Sequence, residues 1–374
     1  MLSSLLDFSH WALYGIPAFL FLITVVVFFH ELGHFSVARL FGVRVETFSI
    51  GFGRAIHSWV DSKGTNWKIS WIPLGGYVKF LGDADAAGTP DREATAAMSA
   101  ADRAVAFPFK PLWQRALIVL AGPVANFVLA IAILFVFFLF MGQMIMPPVV
   151  TSVLPHSAAA DAGIRAGDRI VSVDGTAITS YEQIQQITAI SAGQPLPIVL
   201  ERAGNRIAVI VTPRETEITD PFKNKQRVGL LGITNASHRT HVSLGPIAAF
   251  GAAVGEVRDI VAITFRARGQ LFKGNASQLS GPVGIAKLAG QVAEVSLLAL
   301  VQLVALLSVS IGLVNLFPIP LLDGGHLLYY AFEAVLGRPL GERAQDVGFR
   351  LGLAVVLGIF LLATWNDLSR LNLF

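Results

Sequence analysis

At the end of an apolar run, Val25-Val26-Val27-Phe28-Phe29, the sequence reads His30-Glu31-Leu32-Gly33-His34. On a helix, residues four apart lie about 40° apart around the axis, so both imidazoles face the same way. Two neutral imidazoles can hold zinc at about 2.0–2.1 Å, and a carboxylate between them can take a proton from water at the metal. Lipid makes two His and a Glu costly unless they have partners and a purpose, so this pattern predicts a metal site. Zinc needs a third protein ligand and one position left for water. The extended form of the motif would put a histidine six residues after His34, but Leu40 stands there. Glu46 is one alternative. Asp323 is a better one, within Asn315-Leu316-Phe317-Pro318-Ile319-Pro320-Leu321-Leu322-Asp323-Gly324-Gly325. It closes an apolar run where two Pro break the helix and two Gly permit close backbone approach. His326 and Glu333 lie past the break and rank lower.

The elements that must position these residues are membrane spans. Hydrophobic residues make up 54% of the 374, and charged residues 14%, against about 25% charged in an average soluble domain. Mean hydropathy is +0.63. A helical span needs about 20 apolar residues, and 16–40, 116–141, 296–317 and 348–365 qualify. The first is not expected to be a cleaved leader, because no Lys or Arg precedes Arg39. The first and third spans run in the same direction with a motif at each C-terminal end, so both motifs share one membrane level. Despite a pI near 9.3, the net charge is only +3 and no basic run tracks phosphates, so no nucleic-acid partner is expected. With no Cys there is no disulfide framework and no thiolate ligand.

Lys and Arg collect in the loop after the first span and between the third and fourth spans. The positive-inside rule then puts both tails and the middle region, 142–295, outside. In that region Arg169 to Val173 reads as a strand closed by Asp174-Gly175, and Ser180 with Gln183 has capping-box spacing before a helix. A hairpin is predicted about Ala203-Gly204. Residues 245–268 read as an amphipathic helix rather than a fifth span. The stretch 82–106 reads as a loop. Residues 43–50 and 67–80 are rich in β-formers and too apolar for a free loop, particularly Ile72-Pro73-Leu74-Gly75-Gly76-Tyr77.

Taken together, the two metal-site motifs resemble those of the site-2 protease family of intramembrane zinc metalloproteases, peptidase family M50. Gly122-Pro123-Val124-Ala125-Asn126 resembles the family's Gly-Pro-x-x-Asn signature. Ser280-Gly281-Pro282-Val283-Gly284-Ile285 resembles one found in the bacterial RseP-like group. Ala162-Gly163-Ile164 with Gly167-Asp168-Arg169-Ile170 looks like that group's PDZ domain, here counted once rather than in tandem.

The resemblance implies a polytopic α-helical membrane protein with four transmembrane helices, a membrane-associated β-sheet and one inserted PDZ (α+β) domain. The expected organisation is a first span with the zinc motif (1–41), a cytosolic loop with β-strands (42–112) and a second span (113–142). The PDZ domain (148–214) and a periplasmic linker with an amphipathic helix (215–295) follow. A third span carrying the Asp motif (296–325), a cytosolic segment (326–347) and a fourth span (348–366) complete it. By resemblance His30, His34 and Asp323 ligate Zn2+ and Glu31 is the catalytic base. Asn315, Asn126, Gly75 and Gly76 would meet the substrate, although packing between helices is an equal reading for Asn126. The implied activity is cleavage of transmembrane segments of single-pass proteins in the bacterial inner membrane, such as anti-sigma factors or signal peptide remnants. The active site would lie near the cytosol, with the PDZ groove taking a peptide or C-terminus on the periplasmic side. A silent PDZ scaffold would show a degenerate zinc motif, and a zinc transporter would spread polar residues across several spans; neither pattern is present.

Overall fold

In the computed structural model the described residues are 2–84, 92–219, 225–235, 240–271 and 281–370. They fall into two compact units, Met1–Val136 with Phe250–Phe374, and Phe137–Ala249. Ser280 of the signature above and residues 85–91 of the expected loop lie outside the described residues.

Four helices among the described residues are long and apolar enough to cross a membrane: Leu13–Leu40, Leu112–Met141, Leu297–Asn315 and Arg343–Ser369. Lipid offers the backbone no partners, so a spanning segment must satisfy its own peptide groups, and a helix does so. The first span belongs to α1 (Leu2–Leu40) and the second is α2 (Leu112–Met141). On α1, Ala18, Leu22 and Val26 recur every four residues and bury against Leu129 of α2 and Leu300, Leu303 and Val304 of the third spanning helix.

Between helix α3 (Pro246–Leu271) and the third span lies α4 (Pro282–Val295). From the sequence alone these residues belong to the expected linker 215–295. The structure instead packs α4 on α1, with Gly290 against the backbone of Gly15, where an added Cβ would come within 2.8 Å of the Gly15 Cα. Small residues let helix backbones approach in this way. The start of α4 is held by Asp367, which is 3% exposed and accepts the Gly284 N–H at 2.7 Å. Asp367→Ala should therefore lower the unfolding free energy by about 1–2 kcal/mol, as loss of a helix cap does, while Asp367→Asn keeps an acceptor and most of that stability. Thermal melts in detergent would check this; an unshifted melting temperature for the Ala variant would show that the contact contributes nothing.

The third span, α5 (Leu297–Asn315), is followed by a turn and then by α6 (Asp323–Leu336) and α7 (Glu342–Arg370), which carries the fourth span. Asp323 thus opens a new helix rather than closing the third span. The turn is tight: Leu321 holds φ at +101°, and a Cβ on Gly324 or Gly325 would run into the carbonyls of Leu316, Phe317 and Ile319. Only glycine fits those two places.

Two long antiparallel strands, β1 (Val45–Val60) and β2 (Asn66–Phe80), join α1 to the rest of this unit. Both double back. Phe48 is flanked by Val78 and Trp67, Ser49 by Tyr77 and Lys68, and Ile50 by Gly76 and Ile69, while Ser58, Trp59 and Val60 pair with Lys68, Trp67 and Asn66. Gly51 and Gly53 at φ +86° and +85° let β1 bend, and Gly75 at φ +123° does the same for β2. One end of the sheet packs Val45, Phe48, Val78 and Phe80 against Ala38 and Ile118. The other end leaves Ile56, Val60, Trp71, Ile72 and Leu74 exposed, an apolar surface suited to lipid rather than water.

The second unit is α+β. Its four-stranded sheet contains β3 (Arg169–Val173), β4 (Thr176–Ala177), β5 (Leu196–Arg202) and β6 (Asn205–Val211), in the order β4-β3-β5-β6. The helix Tyr181–Ile190 starts with the Ser180/Gln183 capping box, and the β5–β6 hairpin turns on Ala203 and Gly204, both at positive φ. Ile170, Ile184, Ile198 and Leu200 fill the core. Arg202 grips Asp168 with two 2.7 Å hydrogen bonds, and these hold the Asp168 carboxyl below the usual carboxylate range. The core does not stop at residue 214, where the sequence reading ended the domain. Leu231 is buried in it, Ile233 packs against it, and Ile233–Thr234 pairs with Ser152–Val153.

Candidate active site

The helical period of α1 sets His30 and His34 on one face, and α2 gives them room. Gly122 of α2 lies against both rings: a Cβ there would collide with Nε2 of His34 and come within 2.9 Å of Cε1 of His30. Gly33 lies equally close to α2, facing the Ala121 carbonyl and Ala125. The two helices therefore meet through glycines at the level of the imidazoles. The Nδ1–H of His34 donates to the Ile118 carbonyl at 2.8 Å, which leaves Nε2 as the ring atom able to bind a metal.

The tight turn before α6 delivers Asp323 to the same place. Its Oδ2 is 3.1 Å from Nε2 of His30 and 3.6 Å from Nε2 of His34, and the two Nε2 atoms are 3.2 Å apart. All three ligand atoms lie within 4.8 Å of one another. Two imidazole nitrogens and a buried carboxylate oxygen, with no strong cation among them, form a donor set that suits zinc.

Glu31 is on the neighbouring face of α1. It lines a cleft of about 480 Å³ together with His30, His34, Asp323, Asn315, Gly75 and Gly76. The Val78 N–H of β2 faces the Glu31 carboxylate, and a Cβ on Gly76 would lie 3.5 Å from the Glu31 Cγ. The edge of the sheet is thus one wall of the cleft. Asn315, the last residue of α5, has its Nδ2 3.4 Å from Nε2 of His30.

The other sequence candidates lie outside the three-residue cluster. Glu46 pairs with Lys79 at 3.2 Å, and Glu333 forms an ion pair with Arg115. His326 lines the cleft but is not in the three-residue cluster. Asn126 is fully buried and does not line the cleft; it lies behind His30. Sequence reasoning missed Tyr330 and Asp83 as cleft residues, and neither stands in a recognisable motif.

Comparison with known proteins adds the following. The sequence pattern of peptidase family M50 matches residues 18–359. A protein of Agrobacterium fabrum provisionally named a zinc metalloprotease is 46% identical over 364 residues, which cover 96% of each chain. Metalloprotease MmpA of Caulobacter vibrioides is 41% identical over 379 residues, covering 95% of each chain. Among solved structures, the PDZ domain of an SdrC-like protein from Listeria monocytogenes covers 25% of this chain and 92% of its own, with 21% identity and a TM-score of 0.20.

Proposed function

Since this chain belongs to peptidase family M50, the zinc-dependent metalloproteases that work within membranes, we propose that His30, His34 and Asp323 hold the ion and that Glu31 is its general base. The bond cut lies in or beside the transmembrane segment of a single-pass protein, such as an anti-sigma factor or a signal peptide remnant. The observation that carries this reading is the meeting of three ligand atoms and one further carboxylate in a cleft among spanning helices.

Zinc held there would supply Lewis acidity toward the scissile carbonyl and toward water. Glu31 takes the proton from the attacking water and returns it to the leaving amine nitrogen, which needs a carboxylate that is not itself a ligand. Asn315, beside His30, donates from its carboxamide to the substrate carbonyl as negative charge builds there. The cleft lies on the cytosolic side of the inner membrane, and the second unit lies in the periplasm, where it selects or excludes substrates through peptide ends or extended segments.

A helical substrate hides its peptide bonds in internal hydrogen bonds, so it must unwind locally and find new partners. The edge of β2 at Gly75 and Gly76 offers them as an added strand, and residues 73–75 have no partner in the β1 register. Leu74→Pro removes one of these donors and should slow cleavage about five- to tenfold, as one lost hydrogen bond of about 1 kcal/mol implies, with zinc retained. Unaltered turnover by the zinc-loaded variant would rule out strand addition here. The activity itself is tested in proteoliposomes with a single-pass model substrate, with mass spectrometry locating the cut. Cleavage confined to the soluble flanks would overturn the reading.

A further inference from the structure

Asn126 is a motif residue that the proposed reaction leaves unused. It is 0% exposed, deep between α2 and α5, and its position is fixed from two sides. The Ser308 hydroxyl donates to the Asn126 backbone carbonyl at 2.9 Å, and Gly312 faces its Cβ so closely that a methyl there would sit 3.1 Å away. One end of its carboxamide is 3.4 Å from Nδ1 of His30, and the other end, drawn as Oδ1, is buried without a partner. The two ends of a carboxamide are told apart only by their partners. With the amide nitrogen toward His30, Nδ1 must accept and the ring proton must sit on Nε2, the atom that faces Asp323. With the oxygen toward His30, Nδ1 carries the proton and Nε2 is free. Either orientation leaves one end of the carboxamide unpartnered, so the imidazole decides, and a ligand histidine requires the second.

We propose that Asn126 is a positioning residue for the metal, whose side-chain oxygen accepts the Nδ1–H of His30 and so fixes both the tautomer and the ring plane that offer Nε2 to zinc. This gives His30 the counterpart of what the Ile118 carbonyl does for His34. Ile118, Gly122 and Asn126 recur every four residues along α2, so a single ridge supplies an acceptor, a gap and an acceptor beneath the two imidazoles. The Gly-Pro-x-x-Asn signature is then a seat for the histidines rather than a contact for substrate. Metal-ligating histidines depend on such partners, and their loss commonly weakens metal binding about 10- to 100-fold.

The inference rests on the proposed zinc site, and the experiment separates the two. Apo full-length protein in detergent is titrated with zinc against a competing chelator, for wild type, Asn126→Leu, Asn126→Asp and His30→Ala. Asn126→Leu keeps the volume but loses the acceptor, and should bind zinc about 10- to 100-fold more weakly with an apo melting temperature near that of wild type. Asn126→Asp keeps an acceptor and should bind within a few-fold of wild type or tighter. Should the Leu variant fail to fold, Asn126→Ala replaces it with the same expectation. Wild-type affinity in the Leu or Ala variant, or equal weakening in that variant and Asp, would overturn the role of Asn126. Wild type binding no more tightly than His30→Ala would instead overturn the zinc site itself.

Discussion

Glu31→Gln should leave about one zinc per chain in place and reduce peptide hydrolysis by about a hundred- to ten-thousand-fold. Gln matches Glu in size and fills the same space beside Gly76 and Val27, so helix packing and the sheet edge are undisturbed. What disappears is the ability to take a proton from water and to give it to the leaving amine. Asp323→Ala provides the contrast, because it removes a ligand from the three-atom cluster and should lose metal and activity together. Metal analysis paired with cleavage of a labelled single-pass substrate distinguishes the two. A Gln variant that cuts at the wild-type rate, or that loses its zinc, would remove Glu31 from the role of base. In cells, membrane-bound fragments that accumulate only with the Gln variant would identify the natural substrate.

The second large effect is expected at a residue with no functional group. Gly122→Ala puts a methyl into Nε2 of His34 and against Cε1 of His30. Without metal, an imidazole can rotate away at modest cost, and Ala is the better helix former by about 1 kcal/mol, so the apo protein should fold normally. With metal, His34 is tied both to the ion and to the Ile118 carbonyl and has nowhere to move. Zinc affinity and hydrolysis should therefore fall to the level of a ligand deletion while the apo melting temperature is kept or raised. Full zinc content in this variant would rule out a steric role for Gly122 at the metal.

How legible this site was depends on the range of the forces involved. His30, Glu31 and His34 could be read directly, since helical periodicity alone sets their relative directions and α1 is a helix for reasons local to it. Asp323 could be named from its chemistry, but not its element. Pro318 and Pro320 announce a break, yet only the clash of Gly324 and Gly325 with the preceding carbonyls reveals that a new helix begins at Asp323. The four spans and β2 followed from composition, but only the start of β1, which was expected over 43–50 and runs on to Val60. The helix Pro282–Val295 did not, because its reason for existing is contact with Gly15 and Asp367, far away in sequence. The same holds for Leu231, which belongs to the core of the second unit across a stretch that carries no sequence pattern of its own. Asn126 was legible as a residue and illegible as a direction: a substrate contact and a seat for histidine look alike until the helix has a rotation.

The two histidines lie on α1, Asp323 opens α6, and most of the chain runs between them. An ion held by all three is consequently a reversible cross-link between the beginning and the end of the membrane unit. Such a link adds stability that grows with the logarithm of the excess of free zinc over its dissociation constant, about 2.7 kcal/mol at a hundredfold excess. Assembly and activation then become one equilibrium. On the proposed ligand set, a newly made chain whose helices have not yet docked would hold no ion, and hydrolysis would wait until its own folding is finished.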